Sequence, residues 1–184
     1  MTKTGKLRRV LPVCLLCLAA SAVFWGWIFT FITDTGFDRK ISVYYSPSLR
    51  ADETLAARLE EQLPEGIRMV KVRSFEYFMF GTEDLEKGDL YIVKESECGQ
   101  YLSFFRSLPA EAASAFGDRL YVYTDALSGA AVTGLNLDSG GYFSESFPEG
   151  ERLILFFGGK SAHAEDRKAM YALQTIMNGY KEAE

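Results

Sequence analysis

Histidine occurs once in the chain, at His163, and cysteine only three times. A single histidine excludes a histidine-cluster zinc site and an HExxH metalloprotease. A Ser-His-Asp hydrolase could draw only on His163, with Ser161 or Ser139 as nucleophile, and no Gly-x-Ser-x-Gly elbow supplies that serine. His163 itself is expected at the exposed start of the last helix. Three cysteines make no disulfide framework. Cys14 and Cys17 form a CxxC pattern, but it lies inside an apolar run and reads as two small apolar residues. Cys98 is then a lone thiol, and no Asn-x-Ser/Thr sequon is present. Tryptophan is absent beyond Trp27, and there is no internal repeat or low-complexity tract. These absences lead us to expect a protein that is not an enzyme and holds no metal or cofactor.

Charge is missing altogether from Val10 to Ile32, 23 consecutive positions. As a helix this run spans ~34 Å, enough to cross a ~30 Å hydrocarbon core. Lys3, Lys6, Arg8 and Arg9 precede it without an acid, so the positive-inside rule places residues 1–9 in the cytoplasm and residues 33–184 outside. Ala20-Ser21-Ala22 resembles a signal-peptidase site, but ten more apolar residues follow it, which favours a permanent anchor. Trp25 and Trp27 fall in the outer half, as an interfacial belt would. The expected organisation is a basic head (1–9), a transmembrane helix (10–32), a linker (33–38) and an extracytoplasmic domain (39–184), single-pass in the cell membrane with the bilayer as partner.

Subtracting the four N-terminal cations leaves 16 basic against 25 acidic residues, so the outer domain is acidic. An acidic surface lacks the phosphate-neutralising charge that nucleic-acid binding needs, and no nucleic-acid partner is expected. With one free thiol and no sequon, the composition fits a bacterial envelope protein.

Along the domain, Lys40–Tyr45 (KISVYY) is β-branched and aromatic and ends at Ser46-Pro47. A helix follows from Asp52, with Leu55, Ala56, Leu59 and Leu63 on one face, stopped by Pro64-Glu65-Gly66. Residues 67–72 read as a second strand, Phe75–Phe80 as a short buried helix, Asp89–Val93 as a third strand covered on both faces, and 99–108 as a helix. Leu120–Thr124 and Val132–Leu137 suit an antiparallel hairpin around Ser128-Gly129. Residues 138–150 read as a loop or flap, 152–157 as a buried strand and 164–180 as a closing helix. The fold class is α/β: an N-terminal transmembrane helix and one α/β domain with a mixed, partly parallel sheet that opens β-α-β-α-β.

KISVYYS, the Leu55–Leu63 helix, IRMVKV and DLYIV together resemble the first lobe of the type II periplasmic solute-binding proteins of ABC transporters. LILFFGGKSAH with its helix is similar to late segments of the same family. The resemblance covers about residues 38–108 and 151–182. It implies a solute-binding-like or transport-accessory domain that acts by recognition, with a small-molecule ligand and a transporter or other envelope membrane protein as partner. A full member has two lobes, whereas this chain has room for one. The alternative is an envelope interaction, scaffold or sensory module that binds no solute.

Ligands of open α/β sheets gather beyond the carboxyl ends of the strands. The candidate ligand residues there are Tyr45, Ser46, Ser74, Glu76, Glu95 and Ser96, with Tyr77 close by. Their hydroxyls and carboxylates suit a cation or sugar hydroxyl. Gly158-Gly159-Lys160-Ser161 looks like the tail of a P-loop, but Ile154 stands where its first glycine should be. A possible anion-binding turn at Gly158, Gly159, Lys160 and Ser161 remains, because glycines before a helix expose backbone amides.

Overall fold

The computed structural model describes every residue except 1–2, 34, 62, 77–78, 138–140, 147–150, 165–167 and 182–184, and the side chains at 3–11, 29–33, 144–146 and 180–181. Two compact units result, Met1–Gly36 and Phe37–Glu184.

The first unit is one helix, α1 (Lys3–Thr33), and it corrects the membrane expectation. Among the described residues, no helix is long and apolar enough to cross a membrane. The side chains of α1 are described over residues 12–28, and these 17 positions begin at Pro12. At 1.5 Å per residue they rise about 25 Å, short of a ~30 Å core. Residues 10–11 and 29–32, which supplied the rest of the expected span, lie outside the described side chains. The transmembrane element of the fold class, the single-pass anchor and the outside placement of residues 33–184 all rested on that span. They are withdrawn with it.

The second unit is an α/β domain with a mixed sheet. Its elements run β1 (Lys40–Tyr45), α2 (Thr54–Glu60), β2 (Met69–Ser74), α3 (Glu83–Glu86), β3 (Leu90–Lys94), α4 (Cys98–Tyr101), β4 (Phe105–Arg106), α5 (Ala110–Ala115), β5 (Leu120–Thr124), β6 (Ala131–Leu137), β7 (Leu153–Gly158) and α6 (Lys168–Lys181). The strand order is β2-β1-β3-β7-β6-β5, with the short β4 also on β7. β1 pairs parallel with β2 and β3, as the β-α-β-α-β pattern implies, and the remaining pairs are antiparallel.

The β1-to-β2 and β2-to-β3 crossovers run in opposite directions along the sheet, so connections of the same hand place α2 and α3 on opposite faces. α2 packs Leu55 and Leu59 on one face with Ile41, Val43 and Leu155, joined by Ala172, Leu173 and Ile176 of α6. α3 packs Leu85 on the other, beside Tyr44, Tyr91, Phe105 and Phe156. Cover on both faces makes β7 buried along its whole length, which is why it reads as the uninterrupted run LILFF. Phe156 and Phe105 stack at 4.3 Å between centroids.

Asp89, just before β3, ties the middle of the sheet together. Its amide donates to Ser42 O (2.9 Å), its carbonyl accepts from Gly158 N (2.8 Å), and its Oδ2 accepts from Ser42 N (2.7 Å). Oδ1 takes the hydroxyl proton of Ser161. Asp89→Ala is expected to lower the unfolding free energy by about 3 kcal/mol, two charge-assisted bonds at ~1.5 kcal/mol each. Urea denaturation measures it, and a loss below about 1 kcal/mol would show the carboxylate to be dispensable.

At the amino-terminal side, Asp84 bonds Lys40 Nζ at 2.8 Å and also Lys71 Nζ. Burial alone would raise the Asp84 carboxyl, but the two lysines outweigh it and hold it below the ordinary value. A lowered folded-state value contributes stability above the unfolded value of ~3.9 and loses it as pH falls through the folded one. Acid titration of unfolding is therefore expected to show a drop below about pH 4 that Asp84→Asn reduces.

Candidate functional site

The parallel register brings the expected ligand residues to one end of the sheet, with Tyr45 opposite both Ser74 and Ile92. That end is closed. Ser46 is fully buried: its amide donates to Ile92 O (2.9 Å), its carbonyl accepts from Leu49 N (2.9 Å), and its hydroxyl pairs with Ser48 Oγ (2.9 Å). Ser48 donates to Glu97 Oε1 at 2.9 Å. The Tyr45 ring meets Phe143 edge-on at 5.6 Å, and Phe143 is fully buried. Asp52 N donates to Tyr142 O at 2.7 Å. Thus 142–143, within the segment read as a flap, are packed over the edge.

Glu95 and Ser96 are engaged as well. Glu95 accepts from Tyr121 Oη (3.0 Å) and faces Arg152 Nε at 3.9 Å, while Ser96 bonds Glu151. Glu151 in turn faces Lys94 Nζ at 3.8 Å. Ser74 is half-buried, Glu76 is exposed on the loop after β2, and Tyr77 lies outside the described residues. The structure therefore brings Tyr45, Ser46, Ser74 and Glu95 to one end, where Tyr45, Ser46 and Glu95 are engaged by other described residues. Hollows of about 300 Å³ (Arg58, Glu61, Tyr142, Tyr171, Thr175) and 210 Å³ (Arg106, Pro109, His163, Met170) lie elsewhere.

The glycine turn is engaged too. Gly158 N donates to Asp89 O (2.8 Å), Gly159 N to Phe104 O (2.7 Å), and Lys160 Nζ to Glu86 (2.7 Å). α6 begins only at Lys168, so no helix N-terminus follows the glycines directly. His163 is buried, contrary to the exposed position expected. Its Nε2 lies 3.0 Å from Lys40 O, which requires a proton on Nε2, and its amide donates to Ser161 Oγ at 2.9 Å. The Ser161 proton goes straight to Asp89. With the imidazole directed to a backbone carbonyl, this trio is a structural clasp. Ser139 lies outside the described residues, and no group of three or more His, Cys, Asp or Glu among those described is placed to hold a metal ion.

Sequence reasoning found β5 but missed its position. β5 ends the strand order, and no described strand pairs with its outer side. Leu120 is 42% exposed and Val122 60%, whereas Tyr121 and Tyr123 turn to the other face. The direction of its free backbone groups follows from the ladder. Asp125 N donates to Ala130 O (2.9 Å). Thr133, opposite Val122, gives its N–H to Ser107 Oγ (3.2 Å) and its carbonyl to Leu108 N (3.1 Å), both away from β5. Val122–Thr133 is therefore a non-hydrogen-bonded pair, and the N–H and C=O groups of Leu120, Val122 and Thr124 point outward. The opposite edge, β2, carries Lys71 and Arg73, the charges that usually protect an edge. β5 (LYVYT) carries neither charge nor proline. An uncharged strand with both parities occupied by apolar or aromatic residues was the signal available in the sequence.

No protein-family model, curated protein or solved structure matches the chain. The solute-binding and ABC-transporter expectation is corrected accordingly: it has no support from any relative.

Cys98, the one thiol of this domain, is fully buried beneath the closed end. Burial foremost, with the nearby Glu95 carboxylate, pushes it up to about 12. Because the thiolate is the reactive form, Cys98 is expected to resist iodoacetamide at pH 8 until the chain unfolds. Mass spectrometry of the Cys14→Ser/Cys17→Ser variant reads this, and rapid native labelling would contradict the burial.

Proposed function

We propose that the α/β domain is a protein-recognition module that takes an extended segment of a partner by strand addition at β5. The observation that carries this reading is the contrast between the edges: β2 carries the exposed cation Arg73, whereas β5 is uncharged, largely apolar and paired on its outer side with no described strand. Strand addition draws affinity from main-chain hydrogen bonds and specificity from alternate side chains. Three outward residues offer up to six such bonds, and at ~1 kcal/mol each they give a dissociation constant on the order of tens of micromolar before ordering costs. That is the strength of a transient contact. No bond-making chemistry is invoked.

Selection of displayed peptides on the full chain tests the reading. Enrichment of uncharged, β-branched or aromatic segments is expected, with binding weakened at least tenfold by Val122→Pro. The Val122 amide points outward, so proline there leaves the β5–β6 ladder intact. Peptides that bind Val122→Pro equally well, or a complete absence of enriched segments, would overturn it.

A further inference from the structure

Arg106 is a part-buried cation whose partners are all neutral. It lies on the two-residue strand β4 opposite Phe157 of β7, so both side chains leave the sheet on the same face. Nη2 donates to Ala164 O at 2.8 Å, and Cζ stands 5.7 Å from the centre of the Phe157 ring. Nε is shut off from solvent and has no hydrogen-bond acceptor. No carboxylate among the described residues pairs with this guanidinium. The shielded lysines of the domain differ: Lys40 and Lys71 share Asp84, and Lys94 faces Glu151. A carbonyl and a ring temper the charge of Arg106 without cancelling it, and a cation held away from water favours an anion beside it.

Beside Arg106 is the hollow of about 210 Å³. At ~30 Å³ per water it has room for about seven water-sized groups. Its walls include Pro109 and Ala110 at the start of α5, Phe157 of β7 and Met170 of α6, all apolar. Apolar walls with one polar group to fix orientation are the composition of a ligand pocket, here in miniature. We propose that this hollow binds a short monocarboxylic acid of about five carbons, its carboxylate on Arg106 and its hydrocarbon tail against Phe157, Pro109 and Met170. No residue of β5 lines it, so the site is independent of the strand-addition reading.

The available donors set the charge of the ligand. Nε is sealed and one Nη2 hydrogen is spent on Ala164, which leaves the Nη end of the fork. That edge suits a planar carboxylate. A phosphate carries more charge and more acceptor oxygens than this one group can satisfy. Glu111, exposed among the lining residues, opposes a second negative charge and so disfavours a dicarboxylate. An alcohol of the same shape would fill the volume but leave the charge of Arg106 uncompensated.

Titration of the full chain with isovalerate tests this, followed by saturation-transfer NMR from the protein to the ligand methyl groups. Saturable binding is expected, and binding at least tenfold weaker for isopentanol and for glutarate. Arg106→Gln should weaken isovalerate at least tenfold. Ala110→Leu fills the hollow while leaving Arg106 and its bond to Ala164 in place, and it should have the same effect. Ala110 is exposed at the start of α5, so this second variant spares the core and decides the matter if Arg106→Gln does not fold. Val122→Pro is expected to leave isovalerate binding unchanged, so this site and strand addition at β5 fail separately. Isopentanol that binds as tightly as isovalerate would overturn the carboxylate assignment. Binding that survives both Arg106→Gln and Ala110→Leu would overturn the site. Absence of saturable binding of isovalerate, butyrate and hexanoate to the folded chain would overturn it as well.

Discussion

The carboxylate of Asp89 is the constraint on which the rest of the domain is arranged. It is 2% exposed and sits where β1, β3 and β7 converge. A buried carboxylate is tolerable only when hydrogen bonds replace its hydration. Ser42 N and the Ser161 hydroxyl do so from opposite sides, one from a parallel neighbour and one from the turn after an antiparallel strand. The parallel and antiparallel halves of the sheet are thereby registered on one side chain. Gly158 follows from the same convergence, since a Cβ there would stand 1.8 Å from Gly88 O. Ser161 then fixes His163 through its amide, and the imidazole returns to the carbonyl of Lys40 at the start of β1. Asp89, Ser161 and His163 thus tie the start of β1 to the turn after β7.

Closing the opposite end has a related cause. Because β2 and β3 lie on opposite sides of β1, a crevice should open beyond its carboxyl end, beside Ser46. Insertion of β7 beside β3 brings Glu151 and Arg152 to that end, where they meet Lys94, Ser96 and Glu95. Phe143 covers Tyr45 from the other side. Ser46, Glu95 and Ser96 are therefore engaged within the chain. A mixed sheet whose antiparallel strand returns through the middle uses its switch point as packing surface.

What was legible in the sequence follows from where the forces are local. β1, β3 and β7 could be read because burial on two faces leaves runs without polar interruption, and the β5–β6 pair because Ser128-Gly129 marks its turn and Gly129 adopts φ +70°. α6 showed through Leu173, Ile176 and Met177. α5 did not: AEAASA has no apolar period, and only Ala112 of its residues is buried. β4 is two residues long and is paired solely because β7 passes beside it. Glu97, Phe143 and Arg152 joined the closed end through contacts 49 residues apart or more in the case of Ser48–Glu97, a separation that no periodicity encodes. The N-terminal run reaches membrane length only over its full 23 uncharged positions, of which the described side chains cover part.

Edge position is the least legible property of all, because strand order depends on every crossover together. LYVYT is an ordinary strand if it lies inside a sheet, and an exposed template if it lies at the end. The two possibilities differ in what a charge would cost. On an interior strand covered on both faces, an ion would be expensive on either parity; at an edge, a single lysine is nearly free and prevents unwanted pairing. β2 shows the cheap solution in this same domain with Arg73 exposed and Lys71 anchored to Asp84. The absence of any such residue from β5, with Arg119 and Asp125 standing just outside it, is therefore a property of the edge itself. It matches the strand-addition reading, in which the neighbouring strand arrives from another molecule.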